Sequence, residues 1–190
     1  GVIPTPAVAY LVGLYECEAG IMISASHNPC EYNGIKIFQK SGYKLDDRLE
    51  EEIESIILDK SEKIELKTGG DVGNSTVCKT AVKDYVKHIV STTDVKFDGL
   101  KLAIDCANGS ASVCAKEIFS QLGATCYMLN DIPDGTNINH NCGSTHPDEL
   151  MRFVKNAGLD VGLAFDGDAD RMLAVDEKGN LVDGDKVIAI

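Results

Sequence analysis

Apolar positions change spacing along the chain, and those changes delimit its elements. Pro4 and Pro6 precede an apolar run, Ala7 to Leu14, that reads as a short helix, with Gly13 and Gly20 as candidate stops. Ile21 to Ser24 is a short apolar strand feeding the polar loop Ala25-Ser26-His27-Asn28-Pro29. Asn33-Gly34 is a turn signal before a strand at Ile35 to Phe38. Asp46 reads as an N-cap, and Leu49, Ile53, Ile56 and Ile57 then recur at helical spacing, leaving Glu50, Glu51 and Glu52 mostly on the solvated face.

Residues 67–76 hold three glycines and little apolar matter, which marks a domain boundary. Beyond it the pattern is regular. A helix is predicted over Val77 to Val90, with Val82, Tyr85, Val86 and Ile89 on one face, and a strand over Lys101 to Asp105, ending at Asn108-Gly109. A helix from Ala111 to Leu122, closed by Gly123, precedes a strand from Ala124 to Leu129. Pro147 opens a helix to Asn156, with Gly158 just past its end, and strands follow at Asp160 to Phe165 and Met172 to Val175. Strands alternating with helices predict an α/β fold with mixed, largely parallel sheets flanked by helices. Such sheets bind ligands outside the carboxyl ends of their strands, where the motifs at 26 and 166 both fall.

Composition narrows the function classes. Apolar residues are 44% and charged residues 25% of the 190, which argues for a globular chain rather than a disordered or fibrous one. The net charge of −12 is shared evenly between the parts before and after residue 75, which argues against a nucleic-acid partner. No apolar run reaches transmembrane length, so no membrane partner is expected. Seven widely spaced cysteines without a C-x-x-C pair read as buried thiols of a cytoplasmic protein rather than as zinc ligands or a disulfide framework. The lack of an initiating Met or a basic leader is read as a processed chain or a piece of a longer one.

The sharpest chemical feature is Phe165-Asp166-Gly167-Asp168-Ala169-Asp170-Arg171. Three carboxylates at alternate positions, separated by small residues, can converge on one point, and all-oxygen ligands favour a hard cation, Mg²⁺ or Ca²⁺. Arg171 beside them offers a planar fork suited to phosphate. Three other readings stand beside this one. An EF-hand loop would use Asp166, Asp168 and Asp170, with Glu177 at its twelfth position, but has Arg171 where Gly is required. An aspartyl-phosphate phosphotransferase or phosphatase would use Asp166 as nucleophile. An acidic surface turn would do no chemistry. The serine loop is weaker alone: no G-x-S-x-G elbow surrounds Ser26, and adjacent Ser and His point apart on an extended chain. A phosphorylated Ser26 would, however, give a cation held by three Asp a phosphoryl oxygen to act on, with Arg171 and Lys36 for the remaining oxygens.

Together these motifs resemble the α-D-phosphohexomutases over essentially all 190 residues. Gly20 to Pro29 is similar to the family's phosphoserine loop, Tyr32 to Lys36 to the segment after it, and Phe165 to Arg171 to its metal loop, with Ala169 where many members have Gly. Ser24-Ala25, Asp105 to Gly109 and Asn141 to Pro147 are most similar to the branch that isomerises glucosamine phosphates. The resemblance implies two consecutive domains of four, 1–75 (the first, incomplete) and 76–190. It implies Ser26 as phosphoryl carrier, and Mg²⁺ held by Asp166, Asp168, Asp170 and the Ser26 phosphate. Arg171 supports the phosphate, His27 and Lys36 give acid–base help, and His146 either touches substrate or only starts a helix. The implied reaction converts glucosamine 6-phosphate to glucosamine 1-phosphate through a bisphosphate, toward UDP-N-acetylglucosamine and cell-wall precursors. Phosphoglucomutase or phosphomannomutase activity is the alternative within the family. The sugar- and phosphate-gripping domains are not in these residues, so little turnover and some exposed apolar surface are expected of them, and a homodimer of the full-length protein.

Overall fold

In the computed structural model, which describes residues 1–59 and 64–189, the chain builds two sheets. The first is a hairpin. Strands β1 (Ala19–Ser24) and β2 (Gly34–Gln39) pair antiparallel, with Ile23 opposite Ile35 and Ser24 opposite Gly34. Asn33-Gly34 is therefore not a two-residue turn, because Gly34 already lies in the ladder, and the connection is the whole serine loop. Helix α1 (Thr5–Leu14) packs on the hairpin. Gly20 lies inside β1 rather than stopping the helix: a Cβ there would meet Val12 Cγ2 at 2.3 Å, so Gly lets strand and helix touch. The outer hairpin face exposes Ile21, Ile23 and Ile35, the apolar surface expected of this part.

Asp46 caps α2 (Asp47–Glu54) by accepting a hydrogen bond from the Arg48 amide at 3.0 Å. The periodic stripe then passes into a π-helical turn at Ser55–Asp59, and no residue of either piece is buried. Helix α3 (Ala81–Ser91) starts later than predicted, since Val77 finds nothing to pack on and is 81% exposed. Its inward face carries Tyr85 and Val86 into a core shared with Ala7 and Leu11 of α1 and Ile118 of α4 (Ala115–Gln121). The first turn of the helix expected at Ala111 is instead a 3₁₀ turn, Ser110–Val113, whose Ser110 amide bonds the Gly167 carbonyl.

The second sheet runs β4 (Thr125–Leu129), β3 (Lys101–Asp105), β5 (Val161–Phe165), β6 (Met172–Val175), β7 (Leu181–Val182). Only β4–β3–β5 pair in parallel; β5–β6 and β6–β7 are antiparallel, so the fold is mixed α/β. Helix α4 covers one face through Leu102, Ile104, Ala111 and Ala115. Helix α5 (Asp148–Ala157) covers the other through Leu150 and Val154 against Ala103 and Ala164, and Gly158 closes it in the left-handed conformation. Neither β7 nor α6 (Gly184–Ala189) carries a periodic signal in the sequence. All seven cysteines are free; Cys106, Cys114 and Cys142 are buried, but Cys17 and Cys78 are exposed, against the reading of buried thiols. Among the described residues no helix is long and apolar enough to cross a membrane.

Candidate active site

The chain leaves β3 toward β4 on one side and returns through α5 to β5 on the other. The carboxyl ends of β3 and β5 thus flank a topological switch point, where such sheets open a crevice. The loops after those strands touch backbone to backbone: the Ser110 amide donates to the Gly167 carbonyl at 2.8 Å. Asp105, fully buried at the end of β3, braces them. Its two oxygens accept from the amides of Ala107 at 2.9 Å and Gly143 at 2.8 Å, while burial pushes its carboxyl up.

The serine loop is docked onto this platform through its backbone. The Ser26 carbonyl accepts from the Gly167 amide at 3.1 Å and from Asn139 Nδ2 at 2.8 Å, and Asn139 also donates to the Asn28 carbonyl at 2.8 Å. A Cβ at Gly167 would stand 2.5 Å from that Ser26 carbonyl, so only glycine permits the approach. Ser26 itself is held at φ 54°, a left-handed conformation that the surrounding bonds must maintain.

Asp166, Asp168 and Asp170 each bring a carboxylate oxygen within 4.8 Å of the others. Asp166 and Asp168 are fully buried, and Asp170 is exposed. Arg171 Nε donates to Asp166 Oδ2 at 3.0 Å, and its terminal nitrogen reaches the Ser26 hydroxyl at 2.9 Å and His27 Nδ1. Lys36 Nζ bonds Asp168 Oδ2 at 2.6 Å and Asp170 Oδ2 at 2.9 Å. Burial, then the neighbouring Asp168 charge, pushes the Asp166 carboxyl above the usual range. Burial acts upward on Asp168 too, but hydrogen bonds from Lys36 and Thr5 outweigh it and hold Asp168 below that range. Burial works against the Lys36 ammonium, and its two aspartate partners overcome this and raise its pKa.

The residues fit a hard divalent cation. Asp168 Oδ1 is buried and has no hydrogen-bond partner, an arrangement that costs about 1–3 kcal/mol for an uncharged group and more for a charged one. Asp168 shares with Asp166 and Asp170 an all-oxygen ligand set of the kind Mg²⁺ prefers.

Ser26, His27, Lys36, Arg171 and the three aspartates, far apart in sequence, thus meet at one place. His146 is exposed; its ring bonds the Thr145 hydroxyl and its amide the Gly143 carbonyl, and it lines a cavity of about 240 Å³ with Pro29, Glu31 and Asn139. One other reading loses its footing: the aspartate loop joins two antiparallel strands, β5 and β6, so it is not the helix–loop–helix of an EF-hand. Asp166 is fully buried, and its two oxygens accept from the Arg171 amide and from Arg171 Nε. Sequence reasoning missed Thr5, Asp105 and Asn139. Asn139 at φ 57° fits the Asn tolerance of left-handed backbone, but nothing in the pattern marks Thr5 as a partner of Asp168.

A switch-point crevice that joins an acidic trio to a serine on a strained loop defines a phosphohexomutase-type α/β protein, and comparison with known families agrees. The models for phosphoglucomutase/phosphomannomutase alpha/beta/alpha domain I and domain II match residues 1–64 and 83–179, so the chain belongs to this family. It is 57% identical over all its residues to phosphoglucosamine mutases of Clostridium novyi and Acetivibrio thermocellus, and spans 42% of the length of each. A phosphoglucomutase/phosphomannomutase family protein of Burkholderia thailandensis superposes with a TM-score of 0.74 at 28% identity, over 95% of this chain and 40% of its own. An Aspergillus fumigatus N-acetylphosphoglucosamine mutase, solved with GlcNAc-6P and magnesium, shares the fold at a TM-score of 0.54 and 21% identity, over 95% of this chain and 49% of its own.

Proposed function

We propose that this chain is the phosphoserine- and metal-bearing part of a cytoplasmic phosphosugar mutase that interconverts glucosamine 6-phosphate and glucosamine 1-phosphate. This would place it before UDP-N-acetylglucosamine and cell-wall precursors. The division into units 1–75 and 76–190 belongs to the same reading, supported by the separate stretches that match the two family domains. The observation that carries the proposal is the Arg171 guanidinium. It spans from Asp166, through Nε, to the Ser26 hydroxyl, through its terminal nitrogen. A phosphoryl group on Ser26 Oγ would lie where that fork donates, beside the aspartate loop that Arg171 itself ends.

Asp166, Asp168 and Asp170, with an oxygen of the Ser26 phosphate, would hold Mg²⁺. When bound, the ion withdraws charge from the phosphoryl group. The remaining work falls to the chain itself. Transfer breaks the Oγ–P bond of Ser26 and forms a P–O bond to a sugar hydroxyl, whose proton leaves while Oγ gains one. Arg171 orients the phosphoryl oxygens. Its guanidinium can only donate, so His27 accepts at Nδ1, and the neutral ring carries its proton on Nε2. Lys36, paired with two aspartates, is held as an ammonium. Lys36 is thus poised as the proton donor, and we assign it to Ser26 Oγ as that oxygen leaves phosphorus, with the proton of the sugar hydroxyl passing to solvent; the neutral His27 ring can only hydrogen-bond a phosphoryl oxygen through its Nε2–H. The relatives matched are more than twice as long as this chain, so we propose that its 190 residues bind Mg²⁺ weakly and turn over little sugar alone.

Phosphosite mapping of protein isolated from cells tests this reading. The expected result is a hydroxylamine-stable phosphate on Ser26, absent in Ser26→Ala. A hydroxylamine-labile phosphate on Asp166 would refute it.

A further inference from the structure

Thr5, the first residue of α1, lies 163 positions from Asp168 and bonds it twice. Its hydroxyl donates to Asp168 Oδ2 at 2.5 Å, and its amide donates to the Asp168 carbonyl at 2.9 Å. Lys36 Nζ donates to the same Oδ2. Oδ2 of Asp168 is therefore taken by two donors, while Oδ1 is buried and meets no donor in hydrogen-bond geometry, although the Ser26 hydroxyl lies near enough to the carboxylate to lower its pKa. A carboxylate can rotate to exchange its oxygens, and something must break that symmetry. Lys36 is a weak candidate alone, because its four-carbon stem is flexible and its side chain is 23% exposed. Thr5 is 5% exposed, β-branched and stiff at χ1, with its backbone anchored to the residue it orients.

We infer that Thr5 is a positioning residue for a divalent cation: by holding Oδ2 of Asp168, its hydroxyl leaves Oδ1 as the oxygen that faces the ion. The inference rests on reading the aspartate trio as a cation site. Groups that orient a metal ligand from behind are worth about 10–100-fold in metal affinity. Valine is nearly the same shape as threonine and keeps the amide of position 5, so Thr5→Val removes the hydroxyl alone. Thr5→Ser keeps the hydroxyl.

The test is Mn²⁺ affinity of the 190-residue chain, read from the EPR signal of free Mn²⁺. Melting curves in chelator establish that each variant is folded. Thr5→Val is expected to bind about 10–100-fold more weakly than the wild type. Thr5→Ser is expected to stay within about threefold, since the donor survives. Thr5→Ala serves as a second hydroxyl-free variant should Thr5→Val not fold. Unchanged affinity in a folded, hydroxyl-free variant overturns the inference. So does equal weakening in Thr5→Ser, which would make packing, not the donor, responsible. If the wild type binds no Mn²⁺ and Asp168→Asn changes nothing, the cation-site reading itself fails, and the role of Thr5 with it.

Discussion

Asp166 and Asp168 are chemically identical residues two positions apart, yet their proton affinities diverge in opposite directions. Asp166 has its carboxyl raised by burial and by its acidic neighbours, and Asp168 has its own lowered by Lys36 and Thr5. A folded-state pKa above the ordinary 3.8 means that folding favours protonated Asp166. Its contribution to stability in the cation-free chain is present below the unfolded value and is lost as pH rises through the folded one. Protons also compete with the cation for the same oxygens. On acidification, Mn²⁺ affinity is therefore expected to begin falling at a pH above that at which an exposed aspartate titrates. Mn²⁺ titrations at stepped pH check this; a decline that begins only at the pKa of free aspartate would contradict it.

At the scale of elements, the site exists because two loops and a hairpin connection approach without side chains between them. Gly167 is the contact point, with the Ser26 carbonyl 2.5 Å and Ile138 Cδ1 2.6 Å from where a Cβ would lie. Gly167→Ala is expected to cost about 1–3 kcal/mol by overpacking. Backbone cannot yield as a flexible side chain does, so the serine loop is expected to lift from the aspartate loop. Urea unfolding reads the first effect, and amide exchange at Gly167, whose N–H bonds the Ser26 carbonyl, reads the second. Wild-type exchange at Gly167 in the variant would refute the claim. Gly-Asp-Ala-Asp reads in sequence as small spacers between ligands. That one of those spacers is the docking point for a loop 141 positions upstream is not a local property and leaves no local mark.

For the molecule as a whole, the stretches matched to domains I and II are joined both by an apolar core and by a polar clamp. Tyr10 of α1 stacks on His88 of α3 with ring centroids 3.8 Å apart, and Ala7 and Leu11 share a core with Tyr85 and Val86. The clamp is Asn139, which holds the carbonyls on both sides of His27. Asn139→Ala leaves those carbonyls without this donor and is expected to cost about 1–3 kcal/mol. It is also expected to expose the serine loop to protease, while the apolar core keeps α1 and α3 together. Limited proteolysis beside a thermal melt separates the two; an uncleaved loop would argue that Gly167 and Arg171 secure it without Asn139.

Residue types and periods were enough to place β3, α5, β5 and β6 within a residue or so, because the strands are short apolar runs and α5 is a helical face closed by Gly158. The same local chemistry singled out Asp166, Asp168, Asp170 and Arg171, since clustered carboxylates and a phosphate-binding fork are visible without neighbours, whereas Ser26 stood out only beside them and through the family resemblance. Antiparallel pairing of β6 and β7, the tight turn before α4 and the roles of Thr5, Asp105 and Asn139 were decided only on folding. Those features depend on which donor meets which acceptor between separate elements, over 163 positions for Thr5 and 113 for Asn139, and such pairing is set by packing geometry rather than by composition at either end.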